Sequence, residues 1–599
     1  MNLKFTGTFD DLKLKLSSLG GAWNEDQPNK KVFRFGGGVL NWFNSTGTLH
    51  IQGKSPGLDQ LEAAVSHLLY PNEYPAPIRA IAPALKATAP TIAIDVNVTV
   101  ERLYLGGSFK ATELVVGIVN AVGTEYKRVL EPLRDRLRGF GYAVEEIGVS
   151  SLLPPPDHTS GEYERIKHYM DQGDKLRNAA QNNAILAAGA AYKIKNSRKD
   201  ETGKTAYIVN SLKHPDEVDF LRKVYGNGFY LFGIHADELR RRSYLVKDKS
   251  LTQMQADELI RIDEDEKIEH GQKTRDTFHL SDFFISLGKN DDQVKNTVQR
   301  FLELLFSNPF KGPTFDEFAM FMAFNSSIRS SDLSRQVGAI IARDQQIVAT
   351  GANDTPKFGG GQYWAEVDPA SGEVNDAADG KDYTRERDSN KAAQQEIIRE
   401  IASALKANSL VTEGKNEDLE AVLRQSKISD LTEFGRVVHA EMEAIISCAR
   451  IGVSTLSASL YCTTFPCHNC AKHIIDAGIT RVVYVEPYPK SRALELHSEA
   501  ISLKTSLDNQ PEKSRVTFEP FNGVGARRFL DLFSLSLGGG SKLKRKDKQG
   551  DTVEWNKENA VARTPLLPKS YLDVESAASD IWQEANTAKN SYSTSAKRT

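Results

Sequence analysis

Two stretches decide the fold of the C-terminal half: VVHAEMEAIISCAR at residues 437–450 and LYCTTFPCHNCAKHIIDAGITRVVYVEPY at residues 460–488. They contain the pattern H-x-E, a gap, and P-C-x-x-C, which makes His439, Cys467 and Cys470 candidate ligands of one metal ion. Two thiolates and one imidazole suit zinc and leave the fourth tetrahedral position for water. Zinc lowers the pKa of such a water to about 7 and so yields hydroxide at neutral pH. The pattern therefore predicts a catalytic zinc site.

Glu441 lies two residues after His439, at the predicted start of a helix. A carboxylate there can sit beside the metal without binding it, take a proton from water, and deliver protons to a ring nitrogen and a departing amine. Cys467 and Cys470 are predicted to open the next helix, whose N-terminal dipole favours thiolates. We predict that Glu441 is the catalytic acid and base.

A closed structural zinc site is the alternative, with His468 or His473 as the fourth ligand. Such a site gives no reason for Glu441, so the catalytic interpretation is preferred. The other two cysteines, Cys448 and Cys462, lie in apolar surroundings and are predicted to be core thiols. Four cysteines this close together are no disulfide framework for so long a chain, which indicates reduced thiols.

Bulk properties indicate an intracellular protein of several domains. The chain has 599 residues, 40% of them hydrophobic and 26% charged, with a formal charge of −3. This length predicts roughly three to four domains, and the charge argues against coating nucleic acid by net charge alone. The sequence shows no signal peptide and no apolar run of about 18 residues. We therefore expect a cytoplasmic protein that does not enter a membrane.

The pattern of elements predicts an α/β protein with a second, smaller fold at its N-terminus. Residues 1–70 indicate a small α+β domain of unknown role, and residues 71–99 a Pro/Ala-rich linker. In residues 100–312, strands such as LVVGIVN alternate with amphipathic helices, which predicts a doubly wound parallel sheet. Residues 313–537 indicate a further α/β domain, and residues 538–599 a mobile or peripheral tail.

Residues 313–537 resemble the cytidine and deoxycytidylate deaminase superfamily. The motifs RSSDLSRQVGAIIARD, TGAND, HAE, PCHNC and IIDAGITRVVYVEPY occur in the order of that family. The resemblance implies a three-layer domain in which helices flank a mixed sheet, and a zinc-dependent hydrolase that removes an amine from a cyclic amidine. A polar stretch at residues 355–430 is predicted to be an insertion into this domain.

The same resemblance implies roles for residues outside the zinc motif. Asn353 in TGAND would bind the sugar hydroxyl, and Tyr488 would line the nucleobase or ribose pocket. Arg329 and Arg335 are candidate phosphate contacts. The alternative for each arginine is a surface or helix-packing role.

EPYPKS, DYTRERDSN and the preceding α/β domain together resemble the fused deoxycytidylate or dCTP deaminases of bacterial antiphage defence, which join a P-loop kinase-like domain to a deaminase. The loop N-A-V-G-T-E-Y-K, which begins at Asn120, departs from that pattern. It has Glu125 and Tyr126 where a kinase needs the second glycine and the lysine. Phosphoryl transfer is therefore not expected, although Asn120, Gly123 and Thr124 at this strand-to-helix turn are candidate nucleotide-binding residues. A sensor, a regulatory module and a scaffold remain open.

Three functions follow from these patterns. The first is deamination of free dCMP or dCTP to the deoxyuridine nucleotide by a homo-oligomer, in antiphage defence by nucleotide depletion. The second is deamination of cytosine or adenine in single-stranded nucleic acid, held by the N-terminal domain or the KLKRKDK segment. The third is a non-catalytic nucleotide sensor or scaffold. The sequence leaves open whether an RNA or a protein acts as inhibitor or trigger.

Overall fold

The computed structural model describes most of the chain in two compact units, Met1–Val98 and Thr99–Thr599. The described residues are 3–19, 21–27, 29–35, 37–53, 57–69, 112–157, 161–198, 203–264, 271–288, 290–411, 416–431, 434–486, 491–504, 514–539, 542–558 and 560–566. The predicted linker at 71–99 lies outside them. No helix among the described residues combines the length and apolar character that crossing a bilayer requires.

The first unit is a five-stranded antiparallel sheet with two helices, in the strand order β1-β5-β4-β3-β2. Its core contains Leu12 and Leu16 from the first helix and Phe33, Leu40 and Trp42 from the sheet. The α+β composition expected for this part of the chain is present. Its elements are β1 (Leu3–Lys4), α1 (Phe9–Leu16), β2 (Ala22–Gln27), β3 (Lys30–Phe35), β4 (Gly38–Phe43), β5 (Thr48–Gly53) and α2 (Gly57–Leu69).

The second unit begins with a parallel sheet in the strand order β7-β8-β6-β9-β10. Leu133 and Phe301 pack on one face of this sheet, and Ile194 and Leu221 on the other, so helices cover both faces. Its elements are β6 (Leu114–Asn120), α3 (Lys127–Gly139), β7 (Ala143–Gly148), α4 (Glu162–Ala180), α5 (Ile185–Ser197), β8 (Thr205–Asn210), α6 (Pro215–Tyr225), β9 (Phe229–His235), α7 (Glu238–Lys247), α8 (Gln253–Glu264), α9 (Thr274–Phe278), β10 (Phe283–Ser286) and α10 (Asp291–Leu305).

The second sheet of this unit is mixed, in the strand order β12-β11-β15-β16-β18-β17. β11 pairs antiparallel with β12 and with β15, whereas the pairs β15–β16, β16–β18 and β18–β17 are parallel, so β15 has one neighbour of each kind. Its elements are α11 (Phe315–Ser327), β11 (Gly338–Arg343), β12 (Gln346–Ala352), β13 (Glu366–Val367), β14 (Val374–Asn375), α12 (Ser389–Ala407), α13 (Asn416–Arg424), α14 (Ala440–Ile451), β15 (Ser459–Thr464), α15 (His468–Asp476), β16 (Arg481–Glu486), α16 (Ala493–Leu496), β17 (Ile501–Leu503), β18 (Val516–Pro520), β19 (Gly523–Val524) and α17 (Ala526–Phe533).

One hydrophobic core joins the two sheets through α11. Ala319 and Met320 of this helix are buried in a single cluster with Phe284 of the first sheet and with Ile340 and Tyr461 of the second. On the opposite face of the second sheet, α14 and α15 pack over a separate cluster. The mixed sheet therefore lies between two helical layers.

The chain after β18 returns to the first sheet. β19 pairs antiparallel with β10 as a sixth strand. Arg528 of α17 is buried, donates to the carbonyl of Phe229 at 2.6 Å, and lies 3.5 Å from the Asp282 carboxylate. A buried guanidinium needs such partners, and the first sheet supplies them. β19 therefore completes the neighbouring sheet and α17 contacts it through Arg528, although both belong to the predicted 313–537 domain, whose bounds stay a prediction.

Trp555 and residues 560–566 of the predicted tail pack against the body of the second unit, whereas most residues from 542 to 554 are exposed. Trp555 donates from its indole nitrogen to the carbonyl of Phe306 at 3.1 Å. Arg563 is fully buried and donates to the carbonyl of Asp531 at 2.7 Å. The polar composition of this stretch predicts an exposed chain, but the side chains of Trp555 and Arg563 donate to backbone carbonyls in α17 and in the residues that follow α10 and α17. Residues after 566 lie outside the described part.

Candidate zinc and active site

Two helix N-termini bring the three predicted metal ligands together. His439 immediately precedes α14, Cys467 immediately precedes α15, and Cys470 lies in the first turn of α15. The sulfur atoms of Cys467 and Cys470 each lie 3.3 Å from Nδ1 of His439. All three ligand atoms lie within 4.8 Å of one another. They form a compact cluster at the start of both helices.

The cluster fits zinc by its chemistry and its spacing. Zinc bonds of about 2.3 Å to sulfur and 2.0 Å to nitrogen in a tetrahedron separate those atoms by about 3.5 Å. A hydrogen bond from the Cys470 thiol, followed by the one from His439, lowers the pKa of Cys467 to about 4, which favours the thiolate that zinc requires. Among the described residues, neither His468 nor His473 belongs to the cluster. The set has three ligands, as expected for a site that keeps one position open.

Glu441 is buried on the first turn of α14, next to the ligand cluster. Burial, followed by the negative charge of Cys467, raises the pKa of its carboxyl group. Both Glu441 and the ligand His439 line a cavity of about 330 Å³. A carboxylate with a raised pKa that faces a cavity can accept a proton and return it.

Gly351 of β12 allows α14 to lie close enough to place these residues. A Cβ atom at Gly351 would lie 2.1 Å from the carbonyl oxygen of Ala440 and 2.6 Å from the amide nitrogen of Ala444. Ala440 stands between the ligand His439 and the acid Glu441. The glycine in TGAND is therefore required by helix packing beside the site.

We expect Gly351→Ala to lower both activity and stability. The new methyl group meets helix backbone rather than a movable side chain, so β12 and α14 must separate, and overpacking of this kind costs about 1–3 kcal/mol. Turnover should fall at least about tenfold, because displaced catalytic groups lose rate steeply. Gly139→Ala is the matched control, since a Cβ there meets nothing within 4 Å. Equal turnover of the two variants would show that helix spacing does not set the site.

The predicted insertion forms one wall of the cavity. Thr355 donates to the carbonyl of Gly380 at 2.9 Å, and the buried Lys381 donates to Asp354 at 3.1 Å, which ties the insertion to the end of β12. The amide of Gln394 donates to the carbonyl of Leu431 at 2.6 Å. The insertion residues that line the cavity are Asp382, Asp388, Asn390, Lys391, Gln394 and Ser429. No spacing relative to HAE or PCHNC marks them in the sequence.

Residues 313–486 match a family model described as the cytidine and deoxycytidylate deaminase zinc-binding region. The cluster of His439, Cys467 and Cys470 lies within these residues. Residues 313–486 are therefore similar to that zinc-binding region, and this part of the chain is called the deaminase domain below after that similarity. Its zinc ligands are thus expected to be His439, Cys467 and Cys470.

Two curated proteins illustrate what the chain is similar to. ComE operon protein 2 of Bacillus subtilis is 51% identical over 53 residues, which are 9% of this chain and 28% of that protein. The deoxycytidylate deaminase of Saccharomyces cerevisiae is 23% identical over 297 residues, which are 47% of this chain and 76% of that enzyme. The chain therefore spans less than a third of the first relative.

A solved structure with a similar domain is that of the dCMP deaminase from the cyanophage S-TIM5 in complex with dCMP and dUMP. Its sequence is 19% identical, the match covers 35% of this chain and 99% of that one, and the TM-score is 0.19.

Asn353 lies in the cavity of the deaminase domain but also holds its backbone. The Oδ1 atom accepts from the amide of Val337 at 2.6 Å, and Nδ2 donates to the carbonyl of Arg335 at 2.8 Å. One hydrogen of Nδ2 remains for a ligand. Contact with a sugar hydroxyl stays a prediction, and the structure adds a positioning role for residues 335–337.

The other predicted substrate contacts differ in their position relative to the cavity. Arg335 lines the mouth of the cavity, with Nη1 3.7 Å from the Glu486 carboxylate. Arg329 does not line the cavity, because its guanidinium stacks 4.1 Å from the ring centroid of Trp364. This stacking agrees with the alternative packing role of Arg329, and its phosphate contact stays a prediction. Tyr488 lies outside the described residues.

The two thiols predicted to lie in the core are buried there. Cys448 of α14 and Cys462 of β15 are fully buried in the cluster between the mixed sheet and its outer helices. Burial raises the pKa of both thiols, which keeps them protonated. They are therefore packing residues rather than ligands.

Proposed function

We propose that this chain catalyses the zinc-dependent hydrolytic deamination of a free deoxycytidine nucleotide, dCMP or dCTP, to the deoxyuridine nucleotide. One observation carries the proposal: two of the three predicted ligands, His439 and Cys467, line one cavity together with Glu441, and the same lining includes polar side chains and the cations Arg335 and Lys391. The names of the relatives support a deoxycytidine nucleotide as substrate. A cavity of about 330 Å³ is within the range of small-ligand sites.

The reaction replaces the C4 amine of cytosine with oxygen from water and releases ammonia. Zinc, when bound to His439, Cys467 and Cys470, supplies the acidity that makes water a nucleophile at neutral pH. Glu441 takes the proton that this water loses and gives it to N3 of the ring. The same carboxylate then moves the second proton to the departing amine as the bond between C4 and nitrogen breaks. Burial of Glu441 suits it to both roles because it raises the carboxyl pKa.

Two cationic side chains of the cavity support a phosphorylated substrate, and the three aspartates of the lining, Asp332, Asp382 and Asp388, each accept a hydrogen bond from the protein itself. Among the described residues, Arg335 and Lys391 are the lysine and arginine side chains that line the cavity. The ammonium of Lys391 donates to the neutral amide oxygen of Gln394 at 3.1 Å, so its charge remains available to a phosphate. Lys391 belongs to the insertion, which gives this part of the chain a role in recognition.

Replacement of Lys391 by methionine is expected to raise KM for the nucleotide with little change in kcat. A charge-assisted hydrogen bond contributes about 1.5 kcal/mol or more, which corresponds to about a tenfold change. Deoxycytidine, which lacks the phosphate, should be turned over equally by both proteins. Lys406→Met is the matched control, since Lys406 is exposed at the far end of the same helix. An unchanged KM would remove Lys391 from phosphate recognition.

The substrate class is tested with the zinc-loaded full-length protein. Ammonia release is measured with CMP, dCMP, CTP, dCTP and single-stranded DNA that contains cytosine and adenine. We expect release confined to the free deoxycytidine nucleotides. Release from DNA alone would favour the nucleic-acid deaminase, and no release from any of these compounds would favour the sensor or scaffold.

We further propose that the reaction depletes deoxycytidine nucleotides during phage infection. The resemblance to fused kinase-like and deaminase proteins supports this role, and so does the harm that unrestrained depletion would cause in an uninfected cell. Cells that express the chain should lose dCTP after infection and yield fewer plaques. Cells that express Glu441→Gln should do neither, and equal plaque numbers with both proteins would contradict the defence role.

A further inference from the structure

The first sheet of the second unit carries a cavity of its own. The cavity measures about 360 Å³ and opens at the carboxyl ends of β6, β7 and β8. Asn120, Gly123 and Thr124, at the turn between β6 and α3, line it. In sheets of this type, ligands bind in the crevice beyond the carboxyl ends of the strands.

The loop between β6 and α3 already binds a carboxylate of the protein, that of Asp263. The fully buried carboxylate of Asp263 accepts from the amide of Val122 at 2.8 Å and from the ammonium of Lys213 at 2.9 Å. The amides of Thr124 and Tyr126 donate to carbonyls within the loop. A phosphate cannot take these amide hydrogens without breaking those bonds. These three amides are therefore not available to a phosphate.

Three buried polar atoms of the cavity lining have no hydrogen-bond partner among the described residues. They are Oδ1 of Asn120, Oγ1 of Thr124 and Nε of Arg177. The exposed fractions of these residues are 7%, 4% and 1%. Leaving such a group unpaired costs about 1–3 kcal/mol. One acceptor, one hydroxyl and one donor are the groups that a sugar or a nucleobase would satisfy.

The rim of the cavity is cationic. Arg165 and Lys249 share one carboxylate, Glu162, at 2.6 and 3.2 Å. Lys127 adds an exposed third cation. Three cations against one carboxylate leave a net charge of about +2, which matches a phosphate monoester at neutral pH.

Three aromatic rings line the cavity, and two of them contact the cations of the rim. The guanidinium of Arg165 lies 5.9 Å from the ring centroid of Tyr169, and the ammonium of Lys249 lies 5.8 Å from that of Tyr244. Both rings line the cavity, together with Tyr126. Rings in this position can stack on a nucleobase.

We propose that this cavity binds a nucleoside monophosphate without transferring its phosphoryl group. The phosphate lies at the rim, between Arg165 and Lys249, and the nucleoside reaches Asn120 and Thr124. This site is separate from the one in the deaminase domain and does not rest on the deamination reaction.

Binding is measured by calorimetry with dAMP, dGMP, dTMP, inorganic phosphate and the matching nucleosides. The protein is the zinc-loaded full-length Glu441→Gln chain, which avoids turnover. We expect at least one of the three monophosphates to bind at least tenfold tighter than inorganic phosphate and its own nucleoside. The proposal would be overturned if inorganic phosphate bound with the same affinity as the monophosphates, or if no monophosphate bound.

Four variants test whether the monophosphate binds in this cavity. Thr124→Val and Arg165→Met should each weaken the monophosphate at least tenfold, whereas Arg138→Met, an exposed arginine of α3, should not. Lys391→Met should also leave this affinity unchanged, and a loss there would assign the heat to the deaminase domain instead. Thr124→Val should keep or raise the thermal midpoint, because the hydroxyl it removes has no partner. Unchanged affinity in Thr124→Val and Arg165→Met would exclude this cavity.

Discussion

Replacement of Glu441 by glutamine is expected to abolish most deamination while zinc stays bound. Glutamine has nearly the same shape but cannot accept a proton, and positioned general acids and bases contribute about 10²–10⁴-fold to rate. Glu441 is not a member of the ligand cluster, so metal content should not change. Ammonia release and zinc per chain are the two measurements.

Glu443→Gln is the matched control for this experiment. Glu443 is also buried on α14, but its carboxylate accepts from Ser447 and Arg450, each at 3.1 Å, and it does not line the cavity. The control should lose some stability and keep its turnover. Full turnover by Glu441→Gln would assign proton transfer to another group.

Replacement of Cys467 by serine is expected to remove zinc and activity together. Loss of an outer-shell partner already costs about 10–100-fold in metal affinity, and loss of a thiolate ligand should cost more. Zinc per chain should fall well below one after dialysis. Because bound metal stabilises the folded state, a chelator should lower the thermal midpoint of the wild type and leave that of Cys467→Ser nearly unchanged.

Cys448→Ala controls for the loss of a buried thiol. Cys448 is fully buried in the same domain but belongs to the packing cluster rather than to the ligand set. This variant should keep its zinc and its turnover, with a modest fall in the thermal midpoint from the cavity it leaves. Retention of stoichiometric zinc by Cys467→Ser would show that the cluster is not the metal site.

The two α/β domains of the second unit share one hydrophobic core, so that a change in one domain can reach the other. The helix α11 packs between both sheets, and β19 and α17 follow the mixed sheet in the chain but complete the parallel one. A ligand that stiffens the parallel sheet therefore acts on a body that includes the deaminase domain. The predicted P-loop kinase-like identity of that sheet, the homo-oligomer, and an RNA or protein inhibitor stay predictions.

Local sequence was enough wherever neighbouring residues in the chain act together. His439 and Glu441 share one helix start, and Cys467 and Cys470 share another, so their spacing alone predicted the ligand set and its acid. The strand and helix periods likewise predicted the parallel sheet, because a buried strand and an amphipathic helix each carry their pattern within a few residues.

Contacts between residues that are distant in the chain could be identified only from the tertiary structure. Lys391 lines the active-site cavity, Arg329 stacks on Trp364, and Asp263 accepts a hydrogen bond from the loop that begins at Asn120. Each of these contacts joins side chains that are far apart in the chain or carry no motif. A motif specifies which side chains lie at a helix start, and for this protein it was enough to predict the zinc chemistry. Only the packing of separate elements decides which charges meet across a cavity, because that depends on distances that no local pattern encodes.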